Sequence, residues 1–96
     1  MKISDLAEIF KALSHPVRLK IVCNLAKRDT CNVSKISEEL KIPQPTVSQH
    51  LNILKNADVI TGYRKGTQIC YKVENKEVRK ILDSVKIEST CNNINS

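Results

Sequence analysis

The sequence is short of several residue types, and each shortage excludes a class of protein. Its 96 residues contain two glycines, Gly62 and Gly66, no tryptophan and 3% aromatic residues. Two isolated glycines cannot form the GxGxxG or Walker A loops that cradle nucleotide phosphates, so nucleotide sites of that kind are excluded. No apolar run approaches the roughly 18 residues of a membrane-spanning helix. Charged residues interrupt the apolar positions at the N-terminus, so we expect no signal peptide, no membrane partner and a cytoplasmic protein.

The four cysteines, Cys23, Cys31, Cys70 and Cys91, do not form a recognisable metal or disulfide pattern. They include no CxxC pair, and the two histidines are not related by a metal-type spacing. Because nothing in the sequence indicates secretion, we expect reduced thiols, no resident metal and no cofactor.

Positive charge is what the sequence has in excess. Sixteen Lys and Arg residues against ten Asp and Glu residues give a net charge of +6. Apolar residues make up 41% of the chain and charged residues 27%, a balance typical of a folded domain. No linker or repeat divides the chain, so residues 1–96 are predicted to form one domain with 89–96 as a flexible tail. A domain this small buries a limited core, which favours completion of the core by a partner chain.

The apolar periodicity predicts five helices and a hairpin. The second helix begins at Pro16 and is apolar almost all round, which places it at the centre of the domain. Asn32 is expected to cap the third helix, and a short connection leads to a fourth helix over about 44–55. The period then changes to two, with Gly66 in a hairpin turn, before a last helix that begins after Asn75. The predicted fold is mainly α: a winged helix-turn-helix of five helices and a two-stranded wing.

The predicted fourth helix carries an outward face of compact, neutral hydrogen-bonding side chains. Such side chains can bond base edges and phosphates, and glutamine can make two bonds to adenine in the major groove. Cations flank this face and occupy the hairpin tip, which suits contact with the DNA backbone. The face carries Gln44, Thr46, Ser48, Gln49, His50 and Asn52, and the cations are Lys35, Lys41, Lys55, Arg64 and Lys65.

Any one of these polar residues is equally typical of a solvated helix surface. Their combination with a helix-turn-helix, a basic hairpin and a net charge of +6 favours a sequence-specific DNA-binding protein. An enzyme is not expected, because neither His15 nor His50 has an identifiable orienting carboxylate. The alternative from another class is a winged helix that serves protein assembly.

Three segments carry a resemblance to a known family: LSHPVRLKIV, VSKISEELKIPQPTVSQHLNILKNADVI and YRKGTQICYKV. Over roughly residues 4–88 the chain resembles the ArsR/SmtB-type winged-helix repressors of bacteria. The resemblance implies a homodimer, joined through the first and last helices, that binds an imperfect palindrome in double-stranded DNA and releases it when an inducer binds. It assigns Gln44, Thr46, Ser48, Gln49 and His50 to the recognition helix and Arg64, Lys65 and Thr67 to the wing. Pro43 departs from the pattern, since relatives usually place a Ser cap there.

The resemblance leaves the inducer open. Where metal sensors of the family have a cysteine pair, this chain has Asn32 and Ser34, which are poor ligands for soft metals, so metal sensing is only an alternative. In the thiol- and persulfide-responsive branch, similar to SqrR, BigR and HlyU, cysteines lie on the second and last helices. Cys23 and Cys91 lie at or near those positions, which implies thiol sensing. Two alternatives also stay open: that Cys23 is only a buried core residue, and that the repressor has no inducer.

Overall fold

The computed structural model describes residues 1–27 and 32–85 of the chain. Within these ranges the chain forms the five helices and the antiparallel hairpin that the sequence predicts, so the winged helix-turn-helix is confirmed. The elements in chain order are α1 Ile3–Leu13, α2 Pro16–Lys27, α3 Val33–Leu40, α4 Gln44–Asn56, β1 Thr61–Lys65, β2 Gln68–Lys72 and α5 Lys76–Ser84. We call β1, β2 and their turn the wing.

Helix α2 lies at the centre of the core, as its apolar surface predicts. It packs against α1, α3, α4 and β2. Ile21 and Val22 of α2 are fully buried and join one apolar cluster with Ile36 of α3 and Leu54 of α4. Full burial of an aliphatic side chain of this size contributes about 1.5–3 kcal/mol. These contacts fix the helix-turn-helix, formed by α3 and α4, on the rest of the domain.

The turn between α3 and α4 is fixed by local hydrogen bonds. Lys41 ends α3 in the left-handed region with a φ of 58°, and the Ser37 hydroxyl donates to the Ile42 carbonyl. Pro43 precedes α4 and provides no side-chain cap, as expected from the sequence. Its carbonyl instead accepts the N–H of Thr46, at 3.1 Å, and the N–H of Val47, at 3.0 Å. The start of α4 is therefore held by the backbone alone.

The wing is a two-residue hairpin. Lys65 pairs with Gln68 across the turn, and Gly66 has a φ of +65°, a conformation that favours glycine. Asn75 holds the base of the wing: its Nδ2 donates to the Asp58 carbonyl at 2.8 Å, and its Oδ1 caps α5. The hairpin and the start of α5 therefore form one connected unit.

The last helix is shorter than the apolar stripe suggests. Val85 continues the apolar spacing of Val78, Ile81 and Leu82, but it lies beyond the end of α5 at Ser84 and is exposed. In the described ranges no helix combines the length and the hydrophobicity needed to cross a membrane. Cys31, Cys91 and the expected tail 89–96 lie outside the described residues.

Candidate nucleic-acid interface

Helix α4 presents a polar surface to solvent. Val47, Leu51 and Leu54 are buried, whereas Ser48 and Gln49 are exposed. Helix positions three or four residues apart share a face, so the apolar spacing of α4 turns its neutral polar side chains outward. We call the exposed residues Ser48, Gln49 and Asn52 the reading face; all three have hydrogen-bonding side chains without charge.

Two predicted contact residues at the start of α4 are also bound within the protein. Gln44 is exposed, but its Nε2 donates to the Ser34 hydroxyl at 3.0 Å and so connects α4 to α3. Thr46 is partly buried, and its N–H bonds the carbonyl of Pro43. The bond to Ser34 uses the amide nitrogen of Gln44, and the side chain as a whole remains exposed.

His50 does not lie on the outward face where the sequence places it. The residue is partly buried, and its ring lies 4.6 Å, centroid to centroid, from the ring of His15 at the start of α2. Its Nδ1 is 3.3 Å from Nη1 of Arg18. Burial lowers the pKa of His50 from its ordinary value of 6.5, and the nearby His15 and Arg18 lower the pKa further. We call His15, Arg18 and His50 the histidine cluster.

The histidine cluster joins three helices. Nε of Arg18 donates to the Ala12 carbonyl near the end of α1 at 2.6 Å, and Nδ1 of His15 accepts the Val17 N–H at 3.1 Å. Sequence reasoning missed His15 and Arg18 as partners of His50, because they lie more than 30 positions away and no local pattern relates them. His15 and Arg18 both lie in the segment HPVR at the start of α2, but the contact of this segment with α4 depends on how the helices pack.

The wing tip is exposed and basic. Arg64 and Lys65 end β1, Thr67 lies in the turn, and all three are exposed. At the base of the wing, Lys72 lies 5.0 Å from the ring centre of Tyr63 and forms an exposed ion pair with Glu74 at 3.1 Å.

A hydrogen bond fastens the wing to the helix-turn-helix. Gln68 on β2 accepts a hydrogen bond from Nδ2 of Asn32 at 2.8 Å. Asn32, Gln44 and Gln68 all line one open cavity between α3, α4 and the wing. The exposed Lys35 lies on the first turn of α3, beside this cavity. The structure therefore brings the starts of α3 and α4 and the wing to one side of the domain.

The cysteines differ in their surroundings. Cys23 is 4% exposed and lines a small cavity between α2 and α5 that Lys27 and Arg79 also line. Cys70 is fully buried on β2 and is disulfide-bonded, so the expectation of reduced thiols is wrong for this residue. No set of three or more His, Cys, Asp or Glu side chains in residues 1–27 and 32–85 is arranged to hold a metal ion. Asn32 lies where the resemblance places a cysteine of the metal sensors, and its side chain instead caps α3 and bonds to the wing.

Comparisons with known proteins agree with this architecture. Residues 15–61 match the family model of bacterial regulatory proteins of the arsR family. The chain is 44% identical over 84 residues to an uncharacterized HTH-type transcriptional regulator of Methanocaldococcus jannaschii, which covers 88% of this chain and 94% of that protein. It is 43% identical over 82 residues to the transcriptional repressor PagR of Bacillus anthracis, covering 85% of this chain and 82% of PagR.

Solved structures share the fold as well as the sequence pattern. The crystal structure of PagR matches with a TM-score of 0.78 and 41% identity, over 85% of this chain and 93% of that one. The structure of the repressor BigR from Xylella fastidiosa matches with a TM-score of 0.72 and 30% identity, over 84% of this chain and 82% of that one. With a winged helix-turn-helix, an exposed polar face on α4 and relatives that are regulators and not enzymes, the chain belongs to the ArsR family and is a DNA-binding transcriptional regulator.

Proposed function

We propose that the protein is a cytoplasmic, homodimeric repressor that occludes a promoter by placing α4 of each protomer in the major groove. The observation that carries the proposal is the reading face on the second helix of a helix-turn-helix, beside a basic wing. Neutral amides and hydroxyls suit base edges, and the surrounding cations suit phosphates. Different residues are therefore suited to base contacts and to phosphate contacts.

Each proposed contact follows from exposure and chemistry. Gln49 is suited to bidentate bonding with adenine, and Ser48 can bond either a base or a phosphate. The wing tip and α3 supply phosphate contacts, since their side chains are exposed and most are cationic. The proposed DNA-binding residues are therefore Gln44, Thr46, Ser48, Gln49, Lys35, Arg64, Lys65 and Thr67. The partly buried position of His50 against Arg18 supports a role in positioning α4 and not a direct contact with DNA.

Exposed apolar residues support the homodimer. Ile3 is 87% exposed and Phe10 50% exposed on α1, and Leu82 of α5 is only partly buried. Apolar side chains of this size in contact with solvent favour burial against a second copy. Joined through α1 and α5, two copies would present two α4 helices to an imperfect palindrome, whose half-sites lie about 34 Å apart.

Salt dependence tests the proposal. A fluorescein-labelled duplex, selected from a random-sequence pool by the wild-type protein, is titrated at several salt concentrations. If the dimer neutralises roughly 6–10 phosphates, affinity falls about 10³–10⁵-fold between 50 and 200 mM salt. Gln49→Ala should weaken the selected duplex more than a scrambled one. Selection of no duplex, or an affinity that does not respond to salt, contradicts the proposal.

We further propose that modification of Cys23, with Cys91 as its partner, releases the repressor from DNA. The support is the position of Cys23 in the cavity between α2 and α5, which places its side chain beside the last helix. With polysulfide as the two-electron oxidant, one thiolate would attack it and expel hydrosulfide, leaving a persulfide. The second thiolate would then attack this persulfide and expel a further hydrosulfide, which leaves a disulfide, or a polysulfide bridge where sulfur from the reagent is retained. Such a bridge would change the position of the last helix and with it the spacing of the two α4 helices.

Polysulfide addition to the protein–DNA complex tests the thiol proposal. Release is expected for wild type and not for Cys23→Ser or Cys91→Ser, each of which should still bind DNA. Release that survives both substitutions contradicts thiol sensing while leaving the DNA-binding proposal intact.

A further inference from the structure

The histidine cluster lies directly behind the reading face. His50 follows Gln49 in α4, and its partly buried ring contacts His15 and Arg18. Arg18 is partly buried and bridges two elements, since Nε bonds the Ala12 carbonyl of α1 and Nη1 approaches Nδ1 of His50. One guanidinium therefore connects the end of α1 to the middle of α4.

The chemistry of the two groups fixes the protonation state of the imidazole. A guanidinium has five N–H donors and no acceptor, so Nδ1 of His50 must accept from Arg18 with a lone pair. The hydrogen of the neutral ring then lies on Nε2. His15 is held in the same manner, because its Nδ1 accepts the Val17 N–H at 3.1 Å. Both imidazoles use Nδ1 as an acceptor, and protonation of His50 removes the acceptor that faces Arg18.

The contact between Arg18 and His50 adds a polar restraint on the rotation of α4 about its own axis. Successive helix residues are separated by about 100° around the axis, so fixing His50 against α2 also fixes where Gln49 and Ser48 point. Buried Val47 and Leu51 already set which face of α4 is exposed, through apolar contacts that are not directional in themselves. A hydrogen bond at His50 adds the directional restraint that groove reading needs.

We infer that Arg18 is a positioning residue for DNA binding, which acts through neutral His50 to hold the reading face of α4 in the orientation that binds DNA. The inference rests on the proposed role of α4 as the helix that reads the groove. It assigns no direct DNA contact to His50 or Arg18.

The charged surroundings of His50 determine how affinity changes with pH. His15 and Arg18 face it from α2, Glu8 and Lys11 of α1 border the same cavity as Arg18, and the neighbouring residues 46–49 and 51–54 of α4 carry no charge. Protonation places a cation against Arg18 and removes the acceptor, so affinity falls as pH falls. A direct bond from His50 to a phosphate predicts the opposite, since protonation would then strengthen binding.

The test compares the affinity for the selected duplex at pH 7.5 and pH 5.5, at constant ionic strength. His50→Asn is the matched variant, because its side-chain oxygen can accept from Arg18 and it does not titrate. Wild-type affinity should fall about threefold to tenfold at the lower pH, the range expected for losing one hydrogen bond of typical net strength. His50→Asn should bind like wild type at pH 7.5 and show a smaller decline. His50→Ala and Arg18→Lys should bind more weakly at pH 7.5, with a reduced pH response.

A second readout needs no DNA. NMR titration of the His50 ring in the free protein should give a pKa below the ordinary value in wild type and a value nearer to it in Arg18→Met, which removes both the charge and the hydrogen-bond donor. Wild-type affinity that rises as pH falls, or an unchanged His50 titration in Arg18→Met, overturns the inference. If the wild-type protein selects no duplex, the proposed function fails, and the NMR titration alone decides whether Arg18 controls His50. If His50→Ala does not fold, His50→Asn and the titration still decide.

Discussion

Asn32 forms two hydrogen bonds with one amide: its Nδ2 donates to Oε1 of Gln68 at 2.8 Å, and its Oδ1 accepts the Lys35 N–H at 2.9 Å. The first bond fastens the wing, and the second caps α3. A single side chain therefore links the wing, which is proposed to grip phosphates, to the helix-turn-helix, which is proposed to read bases. The distance between these two parts depends on this link.

Separating the two bonds of Asn32 gives the first prediction. Asn32→Ser keeps an oxygen that can cap α3 but cannot reach Gln68, and Gln68→Ala removes the acceptor from the other side. We expect each variant to weaken DNA binding about threefold, with the free energy of unfolding changed by less than about 1 kcal/mol. Because both remove the same bond, the double variant should bind no more weakly than either single variant. Fluorescence anisotropy measures this cycle, and effects that multiply would contradict a shared bond.

The wing tip gives the second prediction. Arg64→Ala should weaken binding to every duplex by a similar factor and lower the slope of log affinity against log salt by about 1, because one phosphate contact is lost. Lys80→Ala is the matched control: Lys80 is an exposed cation on α5, the helix that begins at the base of the wing. If the two variants have equal slopes of log affinity against log salt, Arg64 acts only through the net charge of the protein. That result would contradict a phosphate contact at the wing tip.

The apolar surface of α1 gives the third prediction. Phe10 and Ile69 are nearly equally exposed, at 50% and 51%, but Phe10 lies on α1 and Ile69 on the wing. Phe10→Ser should shift the protein from dimer to monomer in sedimentation experiments, since it removes apolar area from the proposed interface. Ile69→Ser should leave the dimer intact. A wild-type protein that sediments as a monomer, or two variants that behave alike, would contradict an interface through α1.

Local signals made most of the fold predictable. The caps Asn32 and Asn75 and the turn glycine Gly66 each lie next to the element that they begin or join, so a short stretch of sequence contains the whole signal. The apolar spacing of α4 likewise determines which of its side chains are exposed. The end of α5 was not predictable in this way, because Val85 continues the apolar stripe and its spacing gives no sign that the helix stops at Ser84.

The site was predictable only where the contacts are local. Exposure of Ser48 and Gln49 follows from the helical period, whereas the bonds Gln44–Ser34, Asn32–Gln68 and Arg18–His50 join residues 10, 36 and 32 positions apart. Bonds of this kind depend on how the elements pack, and side-chain type alone does not select the partner. For this reason His50 was assigned to the outward face although α2 supplies its partners.

The pH dependence of folding gives the last prediction. The pKa of His50 is held below its ordinary value of 6.5 by burial, by His15 and by Arg18, so the unfolded chain binds more protons than the folded chain near that pH. The contribution of neutral His50 to stability is therefore fully present above pH 6.5 and is lost as pH falls toward the lowered pKa of the folded state. Urea unfolding at pH 7.5, 6.5 and 5.5 should show this decline in wild type and a smaller one in His50→Asn. If the free energy of unfolding changes with pH by the same amount in both proteins, His50 has the same pKa in the folded and unfolded states. Its bond to Arg18 would then have no energetic consequence.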